Sequence, residues 1–124
     1  MIGFVMVGTN DLDKAIIFYD TVLKTIDLTR VEKTDTYASY APKENSKAIE
    51  FYVTIPFDNK NATVGNGTQI SFYINSKEQV DLFHSLALQL GALDEGAPGE
   101  RYDGEYYAYF RDLDGNKICG HTYF

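Results

Sequence analysis

The sequence contains no tryptophan and little cysteine, proline or positive charge. One cysteine excludes an internal disulfide, and this is typical of a protein kept in a reducing compartment, so we expect a cytoplasmic protein. Lys and Arg number 11 against 18 Asp and Glu, which gives a net charge of −7. Because this acidic balance repels phosphate groups, neither nucleic acid nor an anionic membrane is expected as a partner.

No apolar run in the sequence is long enough to cross a membrane. The first run ends at Gly8, and no basic residue precedes it. A spanning helix needs about 20 apolar residues and a signal peptide needs a basic start, so neither is expected.

The residues that are present form an ordinary globular composition with many aromatic rings. The length of 124 residues, with 44% apolar and 23% charged residues, is sufficient for one sizeable core. Ten Tyr and eight Phe are more rings than such a core needs, and the tyrosine hydroxyl suits a ligand site. We therefore predict a single domain, residues 1–124, that binds a small molecule.

The chain is organised as a unit that occurs twice, with an offset of 65 residues. A strand is followed by Asn10, the predicted N-cap of a helix over 11–25 whose apolar residues form one stripe. The same order recurs with Asn75 as the predicted N-cap of a helix over 76–90, which Gly91 closes. The coincidence of strand, cap and stripe predicts a repeated supersecondary unit.

Three strand-like stretches follow each predicted helix. They are 28–33, 36–41 and 47–55 in the first half, and 92–95, 104–111 and 116–123 in the second half. A polar linker rich in Gly and Asn separates two modules, 1–56 and 67–124. The order βαβββ–linker–βαβββ predicts an α+β fold in which a helix covers one face of each mixed sheet.

Three segments resemble the vicinal oxygen chelate superfamily, which contains glyoxalase I (lactoylglutathione lyase), extradiol dioxygenases and bleomycin-resistance proteins. The segments are FVMVGTNDLDKAIIFYDTVL, GNGTQISFYINSKEQVDLFHSLALQLGA and GAPGERYDGEYYAYFRDLDGNKICGH. The most specific piece is Asp-Leu-Asp-Gly at 112–115, where the superfamily usually has Asp-Pro-Asp-Gly. The resemblance implies paired βαβββ modules whose sheets curl into a cup, a divalent metal in that cup, and pairing of chains into a homodimer.

The metal ligands of the superfamily correspond to four positions in this chain. Its two histidines fall at Phe4 and Gln69, and its acidic ligands fall at Glu50 and Cys119. A phenyl ring has no lone pair, an amide oxygen is a weak ligand, and a carboxylate with a thiolate does not make a tight site. We therefore expect that the metal site is lost and that the protein carries no metal and no cofactor.

Strand alternation predicts which side chains line the cup, because successive residues point to opposite faces of a sheet. Arg101 lies in a predicted loop, where it either anchors an anion over the cup or remains a solvated charge, and His84 is predicted at the surface or at the boundary of the core. The predicted ligand-binding residues are aromatic side chains with a few polar groups among them: Phe4, Tyr52, Gln69, Tyr73, Arg101, Tyr107, Tyr109, Cys119 and His121.

Two functions follow from this arrangement, and the sequence leaves open whether the protein is an enzyme. The first is binding of a cationic or planar organic molecule, as in the bleomycin-resistance branch, with Glu50 as partner of a ligand donor or cation. The second is a lyase or isomerase acting on a small carbonyl compound, with Glu50 as a general base of raised pKa. The missing metal ligands favour binding. A scaffold that only dimerises is a third alternative.

Overall fold

The computed structural model describes every residue from Met1 to Phe124, and the chain divides into two compact units, Met1–Thr63 and Val64–Phe124. The first unit contains β1 (Val5–Gly8), α1 (Leu12–Lys24), β2 (Leu28–Lys33), β3 (Tyr37–Pro42) and β4 (Phe51–Thr54). The second contains β5 (Ile70–Tyr73), α2 (Lys77–Gln89), β6 (Leu93–Tyr102), β7 (Glu105–Arg111) and β8 (Lys117–Tyr123). The predicted α+β fold of two βαβββ units is therefore confirmed.

Each unit builds one four-stranded mixed sheet with the same topology. The strand order is β1-β4-β3-β2 in the first unit and β5-β8-β7-β6 in the second. In both sheets the first strand pairs in parallel with the last strand of its unit, and the other pairings are antiparallel. This identical order is what a repeated unit predicts.

Helix α1 begins one residue later than predicted. Its N-cap is Asp11, whose Oδ1 accepts a hydrogen bond from the Lys14 amide at 3.1 Å. Asn10, the predicted cap, instead accepts a hydrogen bond from the Ala62 amide at 2.7 Å. Sequence reasoning chose the wrong residue because both Asn and Asp are good caps, and only the position of the linker distinguishes them.

Helix α2 also begins one residue later, at the N-cap Ser76 rather than Asn75. The Ser76 Oγ accepts a hydrogen bond from the Gln79 amide at 3.2 Å. Gly91 closes the helix as predicted, with a φ of 106° and an amide that donates to the Leu88 carbonyl at 3.1 Å. Glycine adopts this left-handed conformation without the steric cost that a Cβ would bring.

Each helix buries its apolar stripe on one face of its own sheet. In the first unit Phe18 and Tyr19 are fully buried, and the Tyr19 ring lies 4.9 Å from that of Phe51 on β4. In the second unit Phe83 is fully buried, and its ring lies 5.4 Å from that of Phe110 on β7. Neither helix has the length and apolar character needed to cross a membrane.

Two strands differ in extent from the sequence-based expectation. Strand β4 is shorter than the predicted 47–55 and begins at Phe51. Strand β6 extends far beyond the predicted 92–95, to Tyr102, so Arg101 lies on a strand and not in a loop. The Gly-Ala-Pro-Gly segment is typical of a loop, but β6 stays paired with β7 through three register shifts.

His84 is buried, contrary to the expectation of a surface position. Its side chain lies in α2 and is 4% exposed, with Nε2 at 3.0 Å from the Asp94 Oδ1 on β6. The Gly96 amide also donates to the Asp94 Oδ1, at 2.9 Å. This amide and His84 hold the pKa of the Asp94 carboxyl below its ordinary value. The sequence alone does not identify this pair, because its members meet only when α2 packs on the sheet.

The Asp94 carboxylate is expected to stabilise the fold in a pH-dependent way. Because its folded pKa is lowered, its contribution is complete above the unfolded pKa of about 3.9 and is lost as the pH falls through the folded value. Asp94→Asn should therefore lower the free energy of unfolding at about pH 7, and the difference from the unchanged protein should narrow toward about pH 3. Urea unfolding of both proteins at the two pH values measures this difference in the free energy of unfolding.

The matched control for this measurement is Asp35→Asn, because Asp35 is exposed and lies in the turn before β3. It should change the free energy of unfolding little at either pH. A destabilisation by Asp94→Asn that is equally large at both pH values would contradict the assignment.

Candidate ligand-binding site

The predicted site residues divide between the two units, and each group lies on the sheet face that its helix does not cover. We call these faces the first open face, on β1-β4-β3-β2, and the second open face, on β5-β8-β7-β6. Phe4, Glu50 and Tyr52 belong to the first unit, and the other predicted residues belong to the second: Gln69, Tyr73, Arg101, Tyr107, Tyr109, Cys119 and His121. That both groups line one cup stays a prediction.

The first open face carries a small aromatic cluster. Phe4 and Met6 are 55% and 50% exposed, whereas Val7 on the helix side is buried, so the predicted alternation of β1 is confirmed. The Tyr52 ring lies 4.9 Å from Phe4 and 5.6 Å from Tyr37. Sequence reasoning missed Tyr37, because only the antiparallel register of β3 and β4 brings it to this face.

Glu50 lies immediately before β4 and its side chain is exposed. Its backbone is hydrogen-bonded to both neighbouring strands, since its amide donates to the Tyr40 carbonyl and its carbonyl accepts from the Val5 amide, each at 3.0 Å. The carboxylate makes no ion pair. The general-base hypothesis places this carboxylate in a dry aromatic cup, whereas within this chain the Glu50 side chain is exposed to water.

The second open face presents three nearly parallel rings in a row. Tyr107 and Tyr109 alternate along β7, and the antiparallel register places Tyr107 opposite His121 on β8. The Tyr107 ring lies 5.9 Å from that of Tyr109 with 4° between their planes, and 5.1 Å from that of His121 with 10°. The sequence-based assignment of Tyr107 and Tyr109 to the side opposite the buried Ala108 is thus confirmed.

Three further tyrosines surround this row. Tyr73 and Tyr123 lie edge-on to the His121 ring at 5.9 and 5.6 Å, and Tyr102 lies edge-on to the Tyr107 ring at 5.9 Å. Sequence reasoning missed Tyr102 and Tyr123. Alternation from His121 would have found Tyr123, whereas Tyr102 fell in the segment interpreted as a loop. We call these six residues the aromatic platform: Tyr73, Tyr102, Tyr107, Tyr109, His121 and Tyr123.

The hydroxyl groups in the middle of the platform stay protonated at neutral pH. The Tyr107 hydroxyl donates to the Glu105 Oε1 at 3.0 Å, and this hydrogen bond is the main reason why the pKa of Tyr107 rises to about 12. Burial raises the pKa of Tyr109. Both hydroxyls can therefore donate hydrogen bonds and do not add negative charge to this face.

Cys119 is completely buried beneath the second open face. Burial raises the pKa of its thiol, and a hydrogen bond with Ser71 opposes this only in part. A protonated, inaccessible thiol is a poor nucleophile, so the structure does not support a reactive pair of Cys119 and His121. The Nδ1 of His121 is buried without a hydrogen-bond partner, and Gln69 donates to the Ser71 Oγ at 3.0 Å.

Two cations lie beside Tyr109 on the platform. The Arg101 guanidinium carbon is 6.0 Å from the centre of the Tyr109 ring, and the Lys117 Nζ is 5.4 Å from it. Arg101 comes from β6 and Lys117 from β8, the two neighbours of β7 in the sheet. Sequence reasoning named Arg101 and missed Lys117, although Lys117 alternates with Cys119 and His121 along β8.

The residues that the resemblance assigns to the metal-ligand positions do not fit a chelated divalent cation. Phe4 has no donor atom, the Cys119 thiol is buried with a raised pKa, and Gln69, whose Nε2 donates to Ser71, offers only an amide oxygen, which is a weak ligand. No group of three or more His, Cys, Asp or Glu side chains that could hold a metal ion occurs in the chain. The donor set therefore supports no metal-dependent step.

The comparisons with known proteins agree with the fold. Residues 1–119 match the model of the Glyoxalase/Bleomycin resistance protein/Dioxygenase superfamily. A glyoxalase/bleomycin resistance protein from Albidiferax ferrireducens T118 is 39% identical, with 98% of each chain covered and a TM-score of 0.88. A search of curated proteins gives no match. The two βαβββ units define an α+β protein, and the chain belongs to the Glyoxalase/Bleomycin resistance protein/Dioxygenase superfamily.

More distant solved structures share the same fold. A family enzyme from Burkholderia phytofirmans PsJN is 17% identical, with 98% of each chain covered and a TM-score of 0.75. A lactoylglutathione lyase from Agrobacterium tumefaciens is 21% identical, with 98% of this chain and 92% of that chain covered and a TM-score of 0.71. At such identities the likeness concerns the fold alone, and activity does not follow from fold.

Proposed function

We propose that this protein binds a small planar organic molecule on its aromatic platform and that it does so without a metal ion. The observation that carries the proposal is the row of Tyr109, Tyr107 and His121, whose nearly parallel rings lie on the uncovered face of a sheet. Because these rings face one another, a planar ligand would contact their exposed edges and the outer ring face at an end of the row. Burial contributes about 25 cal/mol per Å² of apolar surface, and a favourable ring pair adds about 0.5–1.5 kcal/mol.

Replacement of Tyr107 by alanine is the test of this proposal. Planar aromatic compounds that are neutral, cationic or anionic are first screened by thermal shift, and the hits are titrated against both proteins. Because loss of one stacked ring costs about 1 kcal/mol, Tyr107→Ala should weaken binding about five-fold. The free energy of unfolding should fall little, since Tyr107 is partly exposed.

Tyr106→Ala is the matched control, because Tyr106 is on the same strand but faces α2, where its hydroxyl donates to the Asp81 Oδ1 at 2.6 Å. It should leave ligand affinity unchanged. Equal affinities of all three proteins for every hit would refute the proposal. Turnover of a small carbonyl compound that disappears in Glu50→Gln would instead support the lyase or isomerase hypothesis.

We also propose that two chains form a homodimer. Each sheet has edge strands, β1 and β2 in the first unit, whose outer backbone groups have no strand partner within the unit. Large apolar side chains near β1 are exposed, at 80% for Ile2 and 55% for Phe4. Light scattering should give twice the mass of 14.0 kDa at micromolar concentration, and a mass of one chain would contradict the proposal.

A further inference from the structure

We infer that the ligand of the aromatic platform is a planar organic anion, whose carboxylate binds between Arg101 and Lys117 beside Tyr109. This inference rests on the proposed function and adds the charge and the orientation of the ligand. It follows from the position of two cations, from the glycines that accommodate one of them, and from the pairing of the nearby carboxylates.

The two cations approach the same ring from opposite neighbours in the sheet. The Arg101 guanidinium carbon and the Lys117 Nζ lie 6.0 and 5.4 Å from the centre of the Tyr109 ring. Tyr109 is the end of the parallel row, since Tyr107 and His121 continue it away from the cations. A ligand that lies along the row would therefore bring one end to these two positive groups.

Two glycines leave space for the Arg101 guanidinium in this position. A Cβ on Gly99 would lie 2.7 Å from the Arg101 Nη1, and a Cβ on Gly96 would lie 3.3 Å from the Arg101 Nη2. In this conformation the guanidinium occupies space that a side chain at Gly99 would take and lies close to Gly96, and its Nη2 donates to the Ala97 carbonyl. The Gly-Ala-Pro-Gly segment is therefore part of strand β6, and its glycines leave space for the Arg101 guanidinium.

The carboxylates near these cations already have other partners. Glu95 accepts a hydrogen bond from the Arg111 Nε at 2.5 Å, and Glu105 accepts one from Tyr107. Asp94 accepts from the Gly96 amide and contacts His84, although the charge of Arg101 also lowers its pKa. Neither Arg101 nor Lys117 forms an ion pair with a carboxylate.

Local charge, and not the charge of the whole chain, decides which ligand fits. The net charge of −7 favours cationic ligands on average. At the Tyr109 end of the platform, however, two unpaired cations repel a ligand cation and attract an anion. A planar carboxylate satisfies both features, because its ring stacks on tyrosine and its oxygens accept hydrogen bonds from arginine and lysine.

The experiment compares 2-naphthoate with its neutral analogue 2-naphthylmethanol by calorimetric titration at low salt. Naphthoate should bind about ten-fold more tightly, which is the combined effect of two partly exposed ion pairs. The double variant Arg101→Gln/Lys117→Gln should remove this preference and leave the affinity for the alcohol unchanged. Thermal unfolding checks that the variant is folded.

Two further variants separate position from charge. Gly99→Ala keeps both cations but displaces the guanidinium, so it should reduce the preference for naphthoate about three-fold. Lys77→Gln removes one charge, as Lys117→Gln does, but Lys77 lies over the Phe124 ring at 3.4 Å, away from Tyr109. The Lys77→Gln variant should therefore still bind 2-naphthoate more tightly than 2-naphthylmethanol.

Each other outcome has a defined meaning. Equal binding of naphthoate and the alcohol, with both weakened by Tyr107→Ala, would overturn this inference and leave the proposed function intact. A preference that survives the double variant, or that Lys77→Gln also removes, would overturn the inference as well. Binding of neither compound would overturn both proposals.

Discussion

Replacing Phe83 with alanine is expected to lower the free energy of unfolding by about 3–5 kcal/mol, the usual cost of deleting a buried phenyl ring. Phe83 is 0% exposed, and its ring lies 5.9 Å from Phe72 on β5 and 5.4 Å from Phe110 on β7. It therefore joins α2 to two strands of the second sheet. Because the structure around a deleted core side chain relaxes only partially, most of the cavity should persist.

Urea unfolding measures this loss, and hydrogen exchange of amides in Val64–Phe124 locates it. The control is Leu82→Ala, one position earlier in the same helix, because Leu82 is 47% exposed. Its cost should stay near 0.5 kcal/mol, which is typical of a surface substitution. The assignment of Phe83 to the core would be wrong if the two variants were equally stable.

Gly120→Ala is the second large effect that we expect, with a loss of about 1–3 kcal/mol from overpacking. A Cβ on Gly120 would lie 2.7 Å from the Ile74 Cδ1 and 2.9 Å from the Phe83 Cδ2. Both side chains are buried, and the rigid Phe83 ring has less freedom to move than the terminal methyl group of Ile74. This close approach of α2 to β8 explains why glycine occurs in the middle of a strand, where it is otherwise unfavourable.

A double-mutant cycle tests the cause of this loss. In the Phe83→Ala background the obstructing ring is absent, so Gly120→Ala should cost clearly less than it does alone. Gly3→Ala is the control, because a Cβ at Gly3 would meet nothing within 4 Å. Additive costs in the double variant would show that the Phe83 ring is not the obstacle.

Periodicity accounts for the parts of the fold that could be predicted. The apolar stripes of both helices, the closing Gly91 and the alternation of β1 and β7 all depend on neighbours along the chain. The sequence-based predictions were wrong where a contact between residues distant in the chain decides the local structure. Asn10 does not cap α1, because its side chain accepts a hydrogen bond from the Ala62 amide in the linker. Strand β6 extends to Tyr102 because β7 pairs with it.

For the candidate site, alternation was sufficient to name side chains but not their environment. Tyr107 and Tyr109 were assigned to the open side from sequence, yet their parallel stacking with His121 depends on the register between β7 and β8. Cys119 was predicted to line the cup, and the structure places it out of reach of solvent. Burial depends on every surrounding strand, so no local pattern reports it.

The sequence by itself determined the order of strands and helices, the repetition of the unit and the family. These features depend on residue type and spacing, which can be read from the sequence without knowledge of the fold. The tertiary structure alone decided that Arg101 and Lys117 meet beside Tyr109, and that Gly96 and Gly99 make room for the guanidinium. Such positions depend on strand register and bulges, because a shift of one residue turns a side chain to the opposite face.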